Sequence, residues 1–153
     1  MGRGTVAARV ELPWSIDLFA RYTAFIEPSS AGFDSLVLGR VGVGLRAIDL
    51  PEAQLRIGVA LRHFHDWLGS VFGIDGVLGL DVMIEEPVLL SAEASIGTVG
   101  SALVAQLRGT LGLRIDRVDV YAGWEHVALQ PLDGEGGGVD LGGPIVGVGV
   151  VVD

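Results

Sequence analysis

Across residues 14–27 the side chains alternate with a period of two. The even positions read Trp14, Ile16, Leu18, Ala20, Tyr22, Ala24 and Ile26, and the odd positions read Ser15, Asp17, Phe19, Arg21, Thr23, Phe25 and Glu27. Successive side chains of a strand point to opposite faces, so the segment predicts a strand with one apolar and one charged face. The same alternation predicts eight strands in all, over about 11–28, 33–48, 53–66, 77–85, 88–97, 102–115, 117–129 and 141–152. Each approaches or exceeds the ~9–11 residues that a tilted strand needs to cross a bilayer. Val, Ile, Leu and aromatic residues dominate the non-glycine positions, as strands prefer.

The intervening segments predict tight turns at 50–52, 86–87 and 116, and longer Gly- and Ser-richer connections at 29–32, 67–76, 98–101 and 130–140. Long and short connections then alternate, with four long ones at one end and three short ones at the other, beside both termini. That pattern describes an up-and-down antiparallel meander closing into an eight-stranded barrel. One segment admits a second reading. Asp49 as N-cap with Glu52 three residues on resembles a helix start, which would make 53–68 helical. Leu55, Ile57, Val59 and Leu61 keep period two, with Arg56 and Arg62 on the other parity, and favour a strand. The barrel domain is read as 13–153, and residues 1–12 as an N-terminal extension or an expression remnant.

Alternation alone does not say which face is buried. In a soluble calycin-like barrel or β-sandwich the apolar face is the core; in a transmembrane barrel it meets lipid. Three features favour lipid. The charged face carries Gly42, Gly44, Gly58, Gly79, Gly97, Gly112, Gly123, Gly143, Gly147 and Gly149. Glycine weakens a water-facing strand, whereas small residues make room inside a narrow barrel. The same face carries Arg21, Arg40, Arg46, Arg56, Arg62, Arg108 and Arg114 with Asp17, Asp81, Glu93, Asp119 and Glu125, a set suited to ion pairs filling a lumen. The apolar face lacks Asp, Glu, Arg and Lys between strand ends; its polar members are Ser35, His63, His65 and His126. Trp14 and Trp67 fall at strand ends on that face, as lipid-interface anchors would, and Trp124 lies less terminally.

Composition sharpens this picture. The 153 residues have a mean hydropathy of +0.54 and a net charge of −9, yet hold no ~18-residue apolar run that would make a transmembrane helix. All ten basic residues are arginine. Acidity argues against a nucleic-acid partner, and the absence of cysteine excludes disulfides and thiolate chemistry. The opening Met1-Gly2-Arg3-Gly4 shows no apolar leader core.

With strand count and connection lengths in hand, the chain resembles the small eight-stranded outer-membrane β-barrel proteins of Gram-negative bacteria. The resemblance covers about 14–152 and includes segments such as Val120-Tyr121-Ala122-Gly123-Trp124 and Leu141-Gly142-Gly143-Pro144-Ile145-Val146-Gly147-Val148. It is one of architecture. Such proteins commonly close on an aromatic residue, whereas this sequence closes on Val151-Val152-Asp153.

Chemistry-bearing candidates are few. His63 and His65 share a face with Asp66 opposed, giving two metal ligands without a third. His126 beside Glu125 is similar to the His of outer-membrane lipid A deacylases, but the Ser of their His-x-Ser pairing is Ala128 here. Residues 133–140 form an acidic, Gly-rich stretch able to offer oxygens to calcium but lacking calcium-loop spacing. Glu85 and Glu86 precede Pro87 in a charged turn, and as strand neighbours they point apart. The resulting expectation is a non-enzymatic, porin-like monomer of the bacterial outer membrane. Its partner is membrane lipid, it needs no cofactor or metal, its lumen is plugged by ion pairs, and recognition falls to the loops at 67–76 and 130–140. The alternatives are a soluble barrel binding an apolar small ligand and a lipid-modifying enzyme acting through His126.

Overall fold

The computed structural model describes residues 2–29, 32–66, 69–132 and 137–152. These residues form one closed barrel whose neighbouring strands follow chain order. The strands are β1 (Gly2–Leu12), β2 (Ile16–Ser29), β3 (Gly32–Asp49), β4 (Ala53–Asp66), β5 (Gly69–Glu85), β6 (Val88–Val99), β7 (Ala102–Ile115), β8 (Val118–Pro131) and β9 (Val139–Val152). Consecutive strands pair antiparallel, and β1 pairs with β9 in parallel from Gly4↔Val146 to Val10↔Val152. The parallel seam is a matter of parity: in a closed meander with an odd strand count, the first and last strands must point the same way. The 53–66 segment is strand β4 and not a helix.

The expected eight strands are therefore nine among the described residues, and residues 2–12 are the first of them. Period two could not reveal the boundary. Leu12 pairs with Ile16 across the connection 13–15, and a loop of odd length leaves the parity of the alternation unbroken. Odd positions point inward on both strands, so the alternation does not mark the turn, and residues 2–12, read as an extension, are a strand in the same phase. The turn is also built without its usual residues. Trp14 and Ser15 hold φ of 62° and 61°, where Gly, Asn or Asp would have advertised a turn.

The nine-strand count moves other features. The chain's two ends lie at opposite ends of the barrel. We call the end that holds connections 13–15, 50–52, 86–87 and 116–117 the lower end. The upper end holds the junctions from β2 to β3, β4 to β5, β6 to β7 and β8 to β9. The expected connection at 67–76 is mostly β5, and that at 98–101 shrinks to Gly100-Ser101. Gly73 and Gly76 had made the former resemble a loop. At Gly73 the strand needs glycine for a different reason, because a Cβ there would collide with the Thr98 carbonyl of β6.

Inside the barrel two regions differ. An apolar cluster of Phe25, Leu38, Val99, Val104 and Val127 is buried, with Leu36, Phe64, Leu129 and Leu141 against it. The rest of the interior is dominated by charge. At the lower end of β3 a register shift between Arg46 and Ile48 turns Ile48 outward and sets Asp49 2.9 Å from Arg46.

The seam makes a direct prediction. A chain lacking residues 2–12 leaves β2 and β9 as open edges. It should lose the sharp thermal transition of the full chain by circular dichroism; an unchanged transition would contradict the pairing of β1 with both neighbours.

Candidate functional site

The site is the lumen, built from the inward positions of all nine strands. Every arginine except Arg117 stands at such a position. Near the lower end Arg46 Nη1 donates to Asp17 at 2.8 Å and to Glu11 at 3.0 Å. Arg114 grips Asp119 through two parallel bonds of 2.7 and 2.8 Å. Deeper, Arg9 Nη1 and Arg56 Nη2 donate to the same Asp81 oxygen at 2.7 and 2.8 Å. Arg21 donates to Glu93 at 2.6 Å, and Arg40 bonds the same oxygen. Arg62 reaches Asp75 at 2.7 Å, Ser95 at 3.0 Å and Gln106 at 2.8 Å. Gln106 donates onward to Glu125, and Arg3 donates to the Glu125 carbonyl at 3.2 Å while lying over the Phe25 ring.

These bonds explain an arrangement that looks unfavourable along the wall. The register sets Arg21 beside Arg40 and Arg40 beside Arg62, and sets Arg46 beside Arg56. Like charges directly opposite on neighbouring strands repel. Carboxylates arriving from the far side relieve the repulsion: Glu93 on β6 serves Arg21 on β2 and Arg40 on β3. The pairs therefore tie distant walls together across the lumen.

Of the twelve residues assigned to lumen pairs from sequence, Asp17, Arg21, Arg40, Arg46, Arg56, Asp81, Glu93, Arg114 and Asp119 pair with one another as described. Arg62 finds Asp75, which sequence reading had left in a loop. Arg3, Arg9 and Glu11 were missed with their strand. Glu125 is bonded by Gln106 and forms no ion pair with its cross-strand neighbour Arg108. Arg108 likewise has Glu93 opposite on β6, yet no carboxylate of a described residue pairs with it. Its guanidinium lies over the Tyr121 ring, 4.9 Å from the centroid, and Nη1 has no hydrogen-bond partner. Glycines make the space for these groups. A Cβ at Gly147 would meet the Tyr121 ring at 2.5 Å, and one at Gly42 would meet Phe19 at the same distance.

Outside, the assigned anchors are only partly at rims. Trp14 sits in the 13–15 turn and is 89% exposed. Trp124 is exposed but lies halfway along β8, away from both rims, since the register pairs it with Gly109 and Pro144 well inside both neighbours. Trp67 lies outside the described residues. A different aromatic row runs along the outer face nearer the upper end. The register aligns Tyr22, Gly39, His63 and Phe72, and the His63 and Phe72 rings stack at 4.8 Å.

The catalytic and metal candidates do not assemble. Glu125 points into the lumen while His126 is on the outside, 3.4 Å from Asp140. His65 Nδ1 bonds Ser70 at 2.8 Å. Among the described residues no group of three or more His, Cys, Asp or Glu is placed to hold a metal. Residues 133–136 of the acidic stretch lie outside the described residues. Glu85 and Glu86 are exposed beside the 86–87 turn. No protein-family model, curated protein or solved structure matches the chain.

Removing a shared carboxylate should be far worse than removing an exposed one. Asp81→Asn leaves Arg56 without a carboxylate and Arg9 with Glu11 alone, and should cost about 3–5 kcal/mol in urea unfolding. Asp49→Asn, at the rim beside Arg46, should cost under about 1 kcal/mol. Equal costs would mean that the lumen pairs are screened like surface charges.

Proposed function

We propose that the chain is a membrane-spanning β-barrel of the bacterial outer-membrane kind, acting as a filled, non-enzymatic scaffold and not as an open channel. The observation that carries this reading is the inversion of burial. Arg40 and Arg62 are 5% and 2% exposed, while Val59 and Leu61 on the adjacent strand face are 57% and 63% exposed. Water would penalise that outer surface all around the barrel, because soluble monomers rarely leave contiguous apolar patches beyond a few hundred Å². Acyl chains would not. The height is adequate: a 14-residue strand such as β7, rising ~3.3 Å per residue with a tilt of ~40°, covers ~35 Å against an apolar belt of ~25 Å.

Two features support a plug. The apolar cluster around Phe25 fills part of the lumen, and arginine side chains bridge much of what remains. A barrel this narrow is filled by its own side chains. The scaffold works as a single chain with membrane lipid as its partner. With most connections two or three residues long, any recognition of other molecules falls to 132–138 and not to 67–76. A soluble carrier of apolar ligands is disfavoured, because the Leu, Val and Ile side chains that would line its cavity point outward.

Two measurements test the reading. In lipid vesicles Val59→Arg should lower stability by about 2–4 kcal/mol, the cost of a mid-belt cation. Trp124 fluorescence should be quenched by lipids brominated deep in the acyl chain more strongly than Trp14 fluorescence, read in single-tryptophan variants. A chain that stays monomeric and folded in plain buffer, with Val59→Arg neutral, would overturn the membrane assignment. Planar-bilayer recordings should show no steady conductance, and a stable open level would overturn the plug.

A further inference from the structure

We infer that the lumen holds a binding site for one small oxyanion, centred on Arg108. The site is a cavity of about 100 Å³ whose walls include Arg9, Arg21, Arg56, Arg108, Thr110 and Tyr121. Three carboxylates also line it: Asp81, Glu93 and Asp119. All three are already engaged. Asp81 is shared by Arg9 and Arg56, Glu93 by Arg21 and Arg40, and Asp119 is gripped by Arg114. The three lining carboxylates thus serve five guanidiniums, two of which also reach Glu11 and Asp75 beyond the lining, before Arg108 is counted.

Arg108 is only 7% exposed, forms no ion pair among the described residues, and has an unpartnered Nη1. A buried cation without a counter-charge is costly. The unmet groups that line the cavity share one polarity, and the unmet Oε2 of Glu125, opposite Arg108 in the register, belongs to a residue outside that lining. Arg9 Nε, Arg21 Nε, Arg56 Nε, Arg108 Nη1 and the Tyr121 hydroxyl are buried without hydrogen-bond partners. No oxygen of Asp81, Glu93 or Asp119 is in that state. A cavity whose unpartnered groups are all N–H and O–H donors suits an acceptor carrying negative charge. A guanidinium presents a planar fork that fits tetrahedral or planar oxyanions through paired bonds. The volume admits an ion the size of phosphate or sulfate. A second, wider hollow of about 340 Å³ at the lower end shares Asp81 and Leu89 with the cavity and gives access past Asp49 and Glu52. An anion therefore passes carboxylates before it arrives, so loading should be slow and faster at higher ionic strength.

The test is calorimetric titration of the full-length folded chain with inorganic phosphate against a constant sodium chloride background, with equilibration long enough for slow loading. Saturable binding of one phosphate per chain is expected. Arg108→Gln should weaken it about tenfold or more, the size of one charged hydrogen-bonded contact. Arg117→Gln removes the same charge from the 116–117 turn and should leave the affinity unchanged. Arg108→Lys keeps the charge without the fork and should bind several-fold more weakly while preserving the fold. It decides the matter should Arg108→Gln not fold. Absence of saturable heat, equal affinity in the Arg108 variants, equal loss in Arg117→Gln, or displacement by chloride at matched concentration would each overturn the assignment. The titration works in detergent or in plain buffer, so its failure bears on the cavity alone and not on the membrane reading.

Discussion

The structure depends on one constraint: charges enclosed in a cylinder too narrow for bulk water must meet other charges. A guanidinium in water loses little by standing alone. The same group behind a wall of strands keeps a desolvation cost that only a close carboxylate and good hydrogen bonds can offset. Nearly every inward arginine meets that demand, with partners drawn both from the next strand and from strands across the lumen. The network thereby converts the electrostatic demand into a mechanical one. Glu93 holds β6 against β2 and β3, and Asp81 holds β5 against β1 and β4. Pull any of these strands outward and a buried ion is stranded.

Arginine fits that role better than lysine. Its fork bonds Asp119 through two atoms at once and spans Asp75, Ser95 and Gln106 from a single side chain. A lysine ammonium is a point charge without that reach in a plane. The absence of lysine looked like a compositional bias in the sequence. In the folded chain it coincides with an interior where nearly all the cations reside.

Much of this was legible in advance. The period-two alternation located β2 to β9 in outline and separated the face that lies inside from the face that lies outside. It failed at residues 2–12, set aside as an extension although they form a strand whose alternation runs in phase with β2 across the 13–15 turn. It failed again at Gly73, where glycine answers a close approach of Thr98 and not a need to turn. Charge balance suggested pairing but could not name partners, because the bonds cross the lumen between residues as far apart as Arg21 and Glu93. The inward apolar cluster was invisible for a similar reason. Phe25, Leu38 and Val104 stand at the same parity as charged neighbours, and only three-dimensional convergence makes them a layer.

Closure and charge pairing are one event. The seam joins Gly4 to Val146 and Val10 to Val152, pairings near the greatest sequence separation the chain allows. Contacts of such separation form late, since loop entropy must be overcome before they reward the chain. Before the seam forms, Asp81 has Arg56 from the adjacent strand but lacks Arg9 from across the lumen. Afterwards β1 brings Arg3, Arg9 and Glu11 into the lumen together. Among the described residues it adds two guanidiniums and one carboxylate to the lumen. The seam therefore closes the wall and completes the shared pairs of Asp81 in one step.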